Sequence, residues 1–158
     1  MINELYSARI LSLSANMPRA GRLPAPDASA EKVAKLCGSR IIVDVVMEPD
    51  QAGEPRITDF AQDVKACALG QAAAAVLGAH VIGARLAELE VTRDALDAML
   101  KLDGPPPEGR FADLAVLSSV KDYPARHAST LLAFEAVVEA ARTATAQRAA
   151  RTSRAAAG

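Results

Sequence analysis

The sequence predicts an α+β domain in which helices pack on one face of a small antiparallel β-sheet. Three observations carry that prediction. The run Arg40 to Met47 (RIIVDVVM) is dense in β-branched residues, which suit a pleated, half-buried surface. A second strand-like run, Arg56 to Ala66, follows across a turn that holds Pro49, Asp50, Gly53 and Pro55, as in a hairpin. Apart from one segment at the start of the chain and a short helical turn before the first strand, the helical patterns come afterwards, from Ala68 onward. Strands grouped before helices argue against an alternating α/β arrangement.

Taken in order, Asn3 to Ala15 predicts an amphipathic helix, with Leu5, Tyr6, Ile10 and Leu13 near helical spacing. Pro18 and Gly21 end it and open a loop that runs through Pro24 and Pro26. Ser29 and Glu31 to Lys35 read as a short helical turn leading to Leu36-Cys37-Gly38-Ser39. In the strand that follows, Ile41, Val43, Val45 and Met47 share a face. In the next strand, Phe60 and Val64 alternate with Asp59, Asp63 and Lys65, so one face is wet. Ala68 to Ile82 is Ala-rich and predicts a buried helix, with Gly70 and Gly78 allowing close packing. Thr92 is read as the N-cap of a helix running to about Leu102. Gly104-Pro105-Pro106-Pro107 is a break, Phe111 to Val120 a further helix, and Tyr123 to Arg126 a turn. A last long helix begins between Ala125 and Ala128. Residues 1–147 make one domain, and 148–158 a flexible basic tail carrying Arg148, Arg151 and Arg154.

Composition narrows the function. The chain of 158 residues balances 18 basic against 19 acidic side chains, so nothing calls for a nucleic-acid partner. No apolar run reaches the roughly 18 residues that a membrane span needs. Met1-Ile2-Asn3-Glu4 lacks the basic and apolar regions of a signal peptide, so a cytoplasmic protein is expected. There Cys37 and Cys67 are reduced thiols rather than a disulfide. No phosphate-binding glycine loop and no serine-hydrolase spacing is readable.

Chemistry therefore rests on few residues. Cys37 lies in a Cys-Gly-Ser loop before a strand, and Cys67 at a strand-to-helix junction. If the two strands pair as a hairpin, both thiols come to one edge of the sheet. A thiol at a helix N-terminus is drawn toward thiolate, the form that binds iron or zinc and accepts sulfur. The alternative for each cysteine is plain packing, since free cysteine is among the most buried residue types. His127 stands at the start of the last helix, as an auxiliary metal ligand or as a helix-end histidine bonded to the backbone. His80, in an apolar helix, reads as structural.

From Leu5 to about Ala141 the pattern resembles the iron–sulfur cluster assembly scaffold family (NifU N-terminal, IscU and SufU), whose fold is of the SufE/NifU type. Four stretches carry the resemblance: Asn16-Met17-Pro18-Arg19-Ala20-Gly21, Leu36-Cys37-Gly38-Ser39, Ile57-Thr58-Asp59-Phe60 through Cys67-Ala68, and Tyr123 through Ala133. The long interval from Cys67 to Ser129 is closer to the SufU branch. The resemblance implies a scaffold that binds iron, a transient iron–sulfur cluster or zinc through Cys37 and Cys67, with His127 as a further ligand. It implies a cysteine desulfurase and recipient apoproteins as partners, a homo-oligomer as one assembly, and no enzymatic activity beyond sulfur transfer. Alternatively, Cys37 is a persulfide acceptor, or the chain is an interaction module without chemistry. The family's third cysteine is replaced by Ser129 and its aspartate by Ser39. Ala128 stands where IscU-type members carry a histidine, and Arg126 keeps a basic residue. Two thiolates are half of what a [2Fe–2S] cluster takes, and serine is a poor ligand for soft metals.

Overall fold

A computed structural model describes residues 5–157. Asn3 and Glu4, at the expected start of the first helix, lie outside the described residues. Helix α1 spans Ala8–Ala15 and opens on Ser7, whose Oγ accepts the Ile10 N–H at 3.3 Å, a side-chain N-cap. Leu5 and Ile10 enter the core, and Tyr6 and Leu13 pack against it.

Three antiparallel strands follow in the spatial order β1-β2-β3. They are β1 (Ala28–Ala34), β2 (Ser39–Pro49) and β3 (Pro55–Lys65). The helical turn expected at Ser29 and Glu31 to Lys35 is β1 instead. Its register with β2 runs from Ala28 opposite Val45 to Ala34 opposite Ser39. Ala28, Ala30 and Ala34 are buried while Ser29, Glu31 and Val33 are exposed, a period of two. Pairing with β2 overrides the local helix preference of Ala, Glu and Lys.

In β2, Ile41, Val43, Val45 and Met47 are at most 1% exposed and face the helices. In β3, Ile57 is buried although it is out of phase with Phe60, and Ala61 and Gln62 are buried too. A register shift opposite Val46 and Met47 is the cause, because the extra residue of a bulge flips the strand's faces. The hairpin turn is closed by Asp50. Its Oδ1 accepts the N–H groups of Ala52 and Glu54 at 2.8 and 3.0 Å, and Gly53 takes φ +83°.

Asp44 points away from the helices yet is fully buried. The loop after α1 covers it. Arg22 donates to its carboxylate through Nε (2.7 Å) and a terminal nitrogen (3.0 Å), Leu23 N–H at 2.9 Å and Ser29 Oγ at 2.5 Å. Burial pushes this carboxyl up. The bonds from Arg22, Ser29 and Leu23, with the Arg22 charge, outweigh burial and hold it below the usual carboxylate range.

Helix α2 (Ala68–His80) is buried along most of its length. Both its glycines admit close neighbours. A Cβ on Gly70 would stand 2.9 Å from Ser129 O, and one on Gly78 would stand 2.7 Å from Pro18 O. Helix α3 spans Leu86–Lys101 and begins at Arg85, whose N–H is accepted by the Glu88 carboxylate at 3.3 Å. Thr92 is not its N-cap. It is buried in mid-helix and donates its hydroxyl to Glu88 O at 2.8 Å.

The helix expected over Phe111 to Val120 is a 3₁₀ stretch, Gly109–Asp122. Its buried residues are Phe111, Leu114, Leu117 and Val120, a spacing of three that matches the three residues per turn of a 3₁₀ helix. A short 3₁₀ turn, Pro124–Arg126, leads into α4, which runs from His127 to Ala157. Phe134 of α4 meets Phe111 edge to face, ring centroids 5.3 Å apart. Residues 148–157 continue α4, and Arg148 donates to Met47 O. No described helix is long and apolar enough to cross a membrane.

Candidate functional site

The hairpin register decides where the two cysteines lie. Arg40 of β2 stands opposite Lys65 of β3, so the start of β2 and the end of β3 share one end of the sheet. Cys37 is in the turn that enters β2, and Cys67 is the N-cap residue of α2, two residues beyond β3. The turn at Cys37 closes through Gly38, which takes φ +72° and bonds to Ala34 O at 2.9 Å. A side chain at that position would strain the backbone.

Helix α4 completes the group. Ser129, in its first turn and buried, lies 3.4 Å from Cys67 Sγ. Gly70 permits this approach, because α2 and α4 meet backbone to backbone at Ser129. Ser39 Oγ lies 3.0 Å from Cys37 Sγ. The structure thus gathers Cys37, Ser39, Cys67 and Ser129, with the Arg126 charge acting on Cys37. The two serines, which the sequence presents as lost ligands, are hydrogen-bond partners of the thiols.

Cys37 is exposed and Cys67 partly buried, and both are free thiols. The Ser39 hydroxyl, above all, holds the Cys37 thiol below its ordinary range. Partial burial pushes it the other way, and the Ser39 N–H, the Ser129 hydroxyl and Arg126 add to the lowering. A thiolate-favouring setting around an exposed sulfur suits a reactive cysteine better than one that fills space.

His127 does not join this group. Its ring is buried, and Nε2 bonds Val120 O at 2.9 Å and Lys121 O at 3.3 Å, so it fixes the 3₁₀ stretch to the start of α4. His80 meets Asp113 at 3.4 Å. Among the described residues, no three His, Cys, Asp or Glu side chains converge to hold a metal ion. A cleft of about 530 Å³ beside α3 and α4 is lined by charges that pair with one another, Lys32 with Glu139 and Arg93 with Asp94 at 2.9 Å each.

Comparison with known proteins then decides the family. The model of the NifU-like N terminal domain matches residues 5–130. The chain belongs to the NifU-like N-terminal domain family. The crystal structure of a nitrogen-fixing NifU-like protein (N-terminal) from Brucella abortus is 49% identical. It superposes with a TM-score of 0.84 over 91% of this chain and 96% of its own. A Fervidobacterium islandicum AW-1 protein, described as an iron–sulfur cluster assembly scaffold for the SUF system, shares the fold. Its TM-score is 0.77 at 22% identity, over 88% of this chain and 98% of its own. No curated protein matches the chain. The NifU-like fold is therefore that of the sheet and helices described above, and Cys37, Cys67 and Ser129 sit on three separate segments that it brings to one end.

Proposed function

We propose that the chain carries iron–sulfur cargo, binding iron or a transient cluster through Cys37 and Cys67, as a cytoplasmic scaffold rather than an enzyme. The observation that supports this is the hairpin register, which brings both cysteines to one end of the sheet, Cys37 beside Ser39 at 3.0 Å and Cys67 beside Ser129 at 3.4 Å. Thiolates at one exposed point suit iron, and zinc equally. Ser39 keeps Cys37 ready by donating to its sulfur, and Arg126 offsets negative charge. Ser129 is a partner and not a ligand, since its hydroxyl donates to Arg126 O at 3.2 Å and a hydroxyl suits soft metals poorly. His127, bonded to Val120, is not among the ligands. On this reading the chain takes sulfur from a cysteine desulfurase and yields its cargo to apoproteins.

The exposure of Cys37 favours a second reading, a sulfur relay. The Cys37 thiolate attacks the outer sulfur of a donor protein's persulfide. One S–S bond forms and one breaks, the sulfane sulfur moves to Cys37, and the donor leaves as thiolate. The test is anaerobic incubation with ferrous iron, sulfide and a cysteine desulfurase, read by absorbance, bound iron and intact mass. A charge-transfer spectrum with bound iron, lost in Cys37→Ser and in Cys67→Ser, is the expected result. A mass gain of one sulfur on Cys37 without iron would replace scaffold by relay. Neither signal would overturn both.

A further inference from the structure

We propose that the cleft between α3 and α4 is a docking site for a single basic side chain, a lysine or arginine presented by a partner protein, with Glu135 as its anchor. This goes beyond the reading of the cysteine site, since no residue lining the cleft belongs to the Cys37 group. The cleft has a volume of about 530 Å³, within the ~300–1,000 Å³ of ordinary ligand sites.

A count of charges singles out Glu135. Four cations line the cleft, and each is already spent on a carboxylate. Lys32 meets Glu139, Arg93 meets Asp94 and Lys101 meets Asp97, each at 2.9 Å, and Arg142 meets Glu90 at 2.5 Å. Glu135, set among them on α4, makes no hydrogen bond or ion pair among the described residues. Five carboxylates thus answer four cations, and one negative charge is left uncompensated. Burial pushes the Glu135 carboxyl up. Lys32 and Lys101 draw it down, Asp97 raises it and Arg93 lowers it, and burial prevails. A half-buried charge without a partner is unfavourable, and a cation brought to it relieves that penalty. Asp97 adds a second acceptor. Its Oδ1 is shielded from water and takes no hydrogen bond, although Lys101 Nζ stands 2.9 Å away.

The form of the occupant follows from the floor of the cleft. Leu131, Glu135 and Val138 are spaced by four and three along α4, so they share one face. Leu131 and Val138 are 3% and 1% exposed, an apolar base beside the lone carboxylate. Lysine and arginine carry a charged head on an aliphatic stem that lies along such a surface. A metal ion does not fit, because no three His, Cys, Asp or Glu side chains among the described residues converge on one point. A polyamine does not fit either. Only one negative charge is unspent, and its further ammonium groups would meet Lys32, Lys101 and Arg93. A protein side chain brings one charge, and the backbone that carries it fills the rest of the cleft.

The experiment is a titration of the full isotope-labelled chain at low ionic strength, followed by amide NMR. The probes are capped Gly-X-Gly peptides with lysine, arginine or norleucine at X, and spermidine. Norleucine has the stem of lysine without its ammonium. The lysine and arginine peptides are expected to shift the amides around Glu135, Asp97 and Lys32, saturating in the millimolar range, with norleucine several-fold weaker. Glu135→Gln keeps the size of the side chain, should leave circular dichroism unchanged, and should weaken both basic peptides several-fold. Lys32→Ala frees Glu139 beside Glu135 and should tighten them. Norleucine binding as well as lysine, or Glu135→Gln binding as well as the parent, would overturn the role given to the Glu135 charge. No saturable shift at the cleft would overturn the site. Spermidine binding there more tightly than the lysine peptide would overturn a protein side chain as the occupant in favour of a free amine.

Discussion

Replacing Ser39 by alanine removes the strongest influence on the Cys37 thiol. Ser39 Oγ lies 3.0 Å from Cys37 Sγ, and its hydrogen bond is the foremost cause of the lowered thiol. A hydrogen bond to a charged group is worth about 1.5–3 kcal/mol, and with Cys37 exposed to screening water about 1 kcal/mol is a fair share. That makes the ratio of thiolate to thiol about fivefold smaller at a pH below the thiol's own range. The more basic thiolate is also more nucleophilic and regains about twofold, so alkylation should slow about two- to threefold. At high pH, where both proteins are fully thiolate, the order should invert and Ser39→Ala should react slightly faster. The assay is iodoacetamide alkylation across a pH series, with Cys37 followed by peptide mass spectrometry so that Cys67 does not contribute. Ser39 is buried and alanine fits its volume, so circular dichroism should be unchanged. An unchanged or faster rate on the acid side would refute the role given to Ser39.

Four further outcomes are expected. Asp44→Ala removes four hydrogen bonds to a buried carboxylate; because Arg22 is half exposed and can turn to water, the loss should be about 2–3 kcal/mol in urea unfolding. The lowered Asp44 carboxyl contributes stability above the ordinary carboxylate range, and this is lost as pH falls through its folded value. The stability gap between parent and Asp44→Ala should therefore narrow below about pH 4, and a gap that widened would reverse the sign. Gly70→Ala sets a Cβ 2.9 Å from Ser129 O; helix propensity returns about 1 kcal/mol against about 1–3 kcal/mol of overpacking, so thermal melting should show net destabilisation. Ser129→Cys places a third thiol beside Cys67 and Cys37, and zinc binding, measured against a chromophoric chelator, should tighten at least tenfold; no tightening would mean that the three positions do not converge on one ion.

How far the sequence could be read depends on whether each feature is local. Strand β2 is legible because its β-branched residues prefer a pleated surface wherever they are placed. Strand β1 is not, since Ala28-Ser29-Ala30-Glu31-Lys32 favours a helix in isolation and becomes a strand by pairing with β2. Thr92 misleads because a hydroxyl that could cap a helix instead returns to the Glu88 carbonyl inside one. The 3₁₀ stretch was visible in the spacing of Phe111, Leu114, Leu117 and Val120, which is three throughout and never four. An aspartate within an apolar strand marks Asp44 as unusual, but its partner Arg22 lies 22 residues away and is set by the loop path. The NifU-like fold and its two cysteines follow from patterns along the chain. The hydroxyls at Ser39 and Ser129 do not, because only tertiary packing distinguishes an absent ligand from a hydrogen-bond donor.

The remaining question is why chemistry should persist at a site that lacks part of the family's ligand set. A cysteine kept for packing would be buried, and Cys37 is exposed on a turn closed by a left-handed glycine. It contributes little to the core, yet the Ser39 hydroxyl lies 3.0 Å from its sulfur and the Arg126 charge acts on it. The interaction-module reading leaves that arrangement without a cause. Scaffold and relay both supply one, and they part at Cys67. A relay needs one nucleophile and is indifferent to the second thiol. The contact of Gly70 with Ser129, too close for any Cβ, holds the start of α2 against α4 and so keeps Cys67 at the site. On the proposed scaffold reading both thiols serve, and this packing is what holds Cys67 at the end of the sheet that carries Cys37.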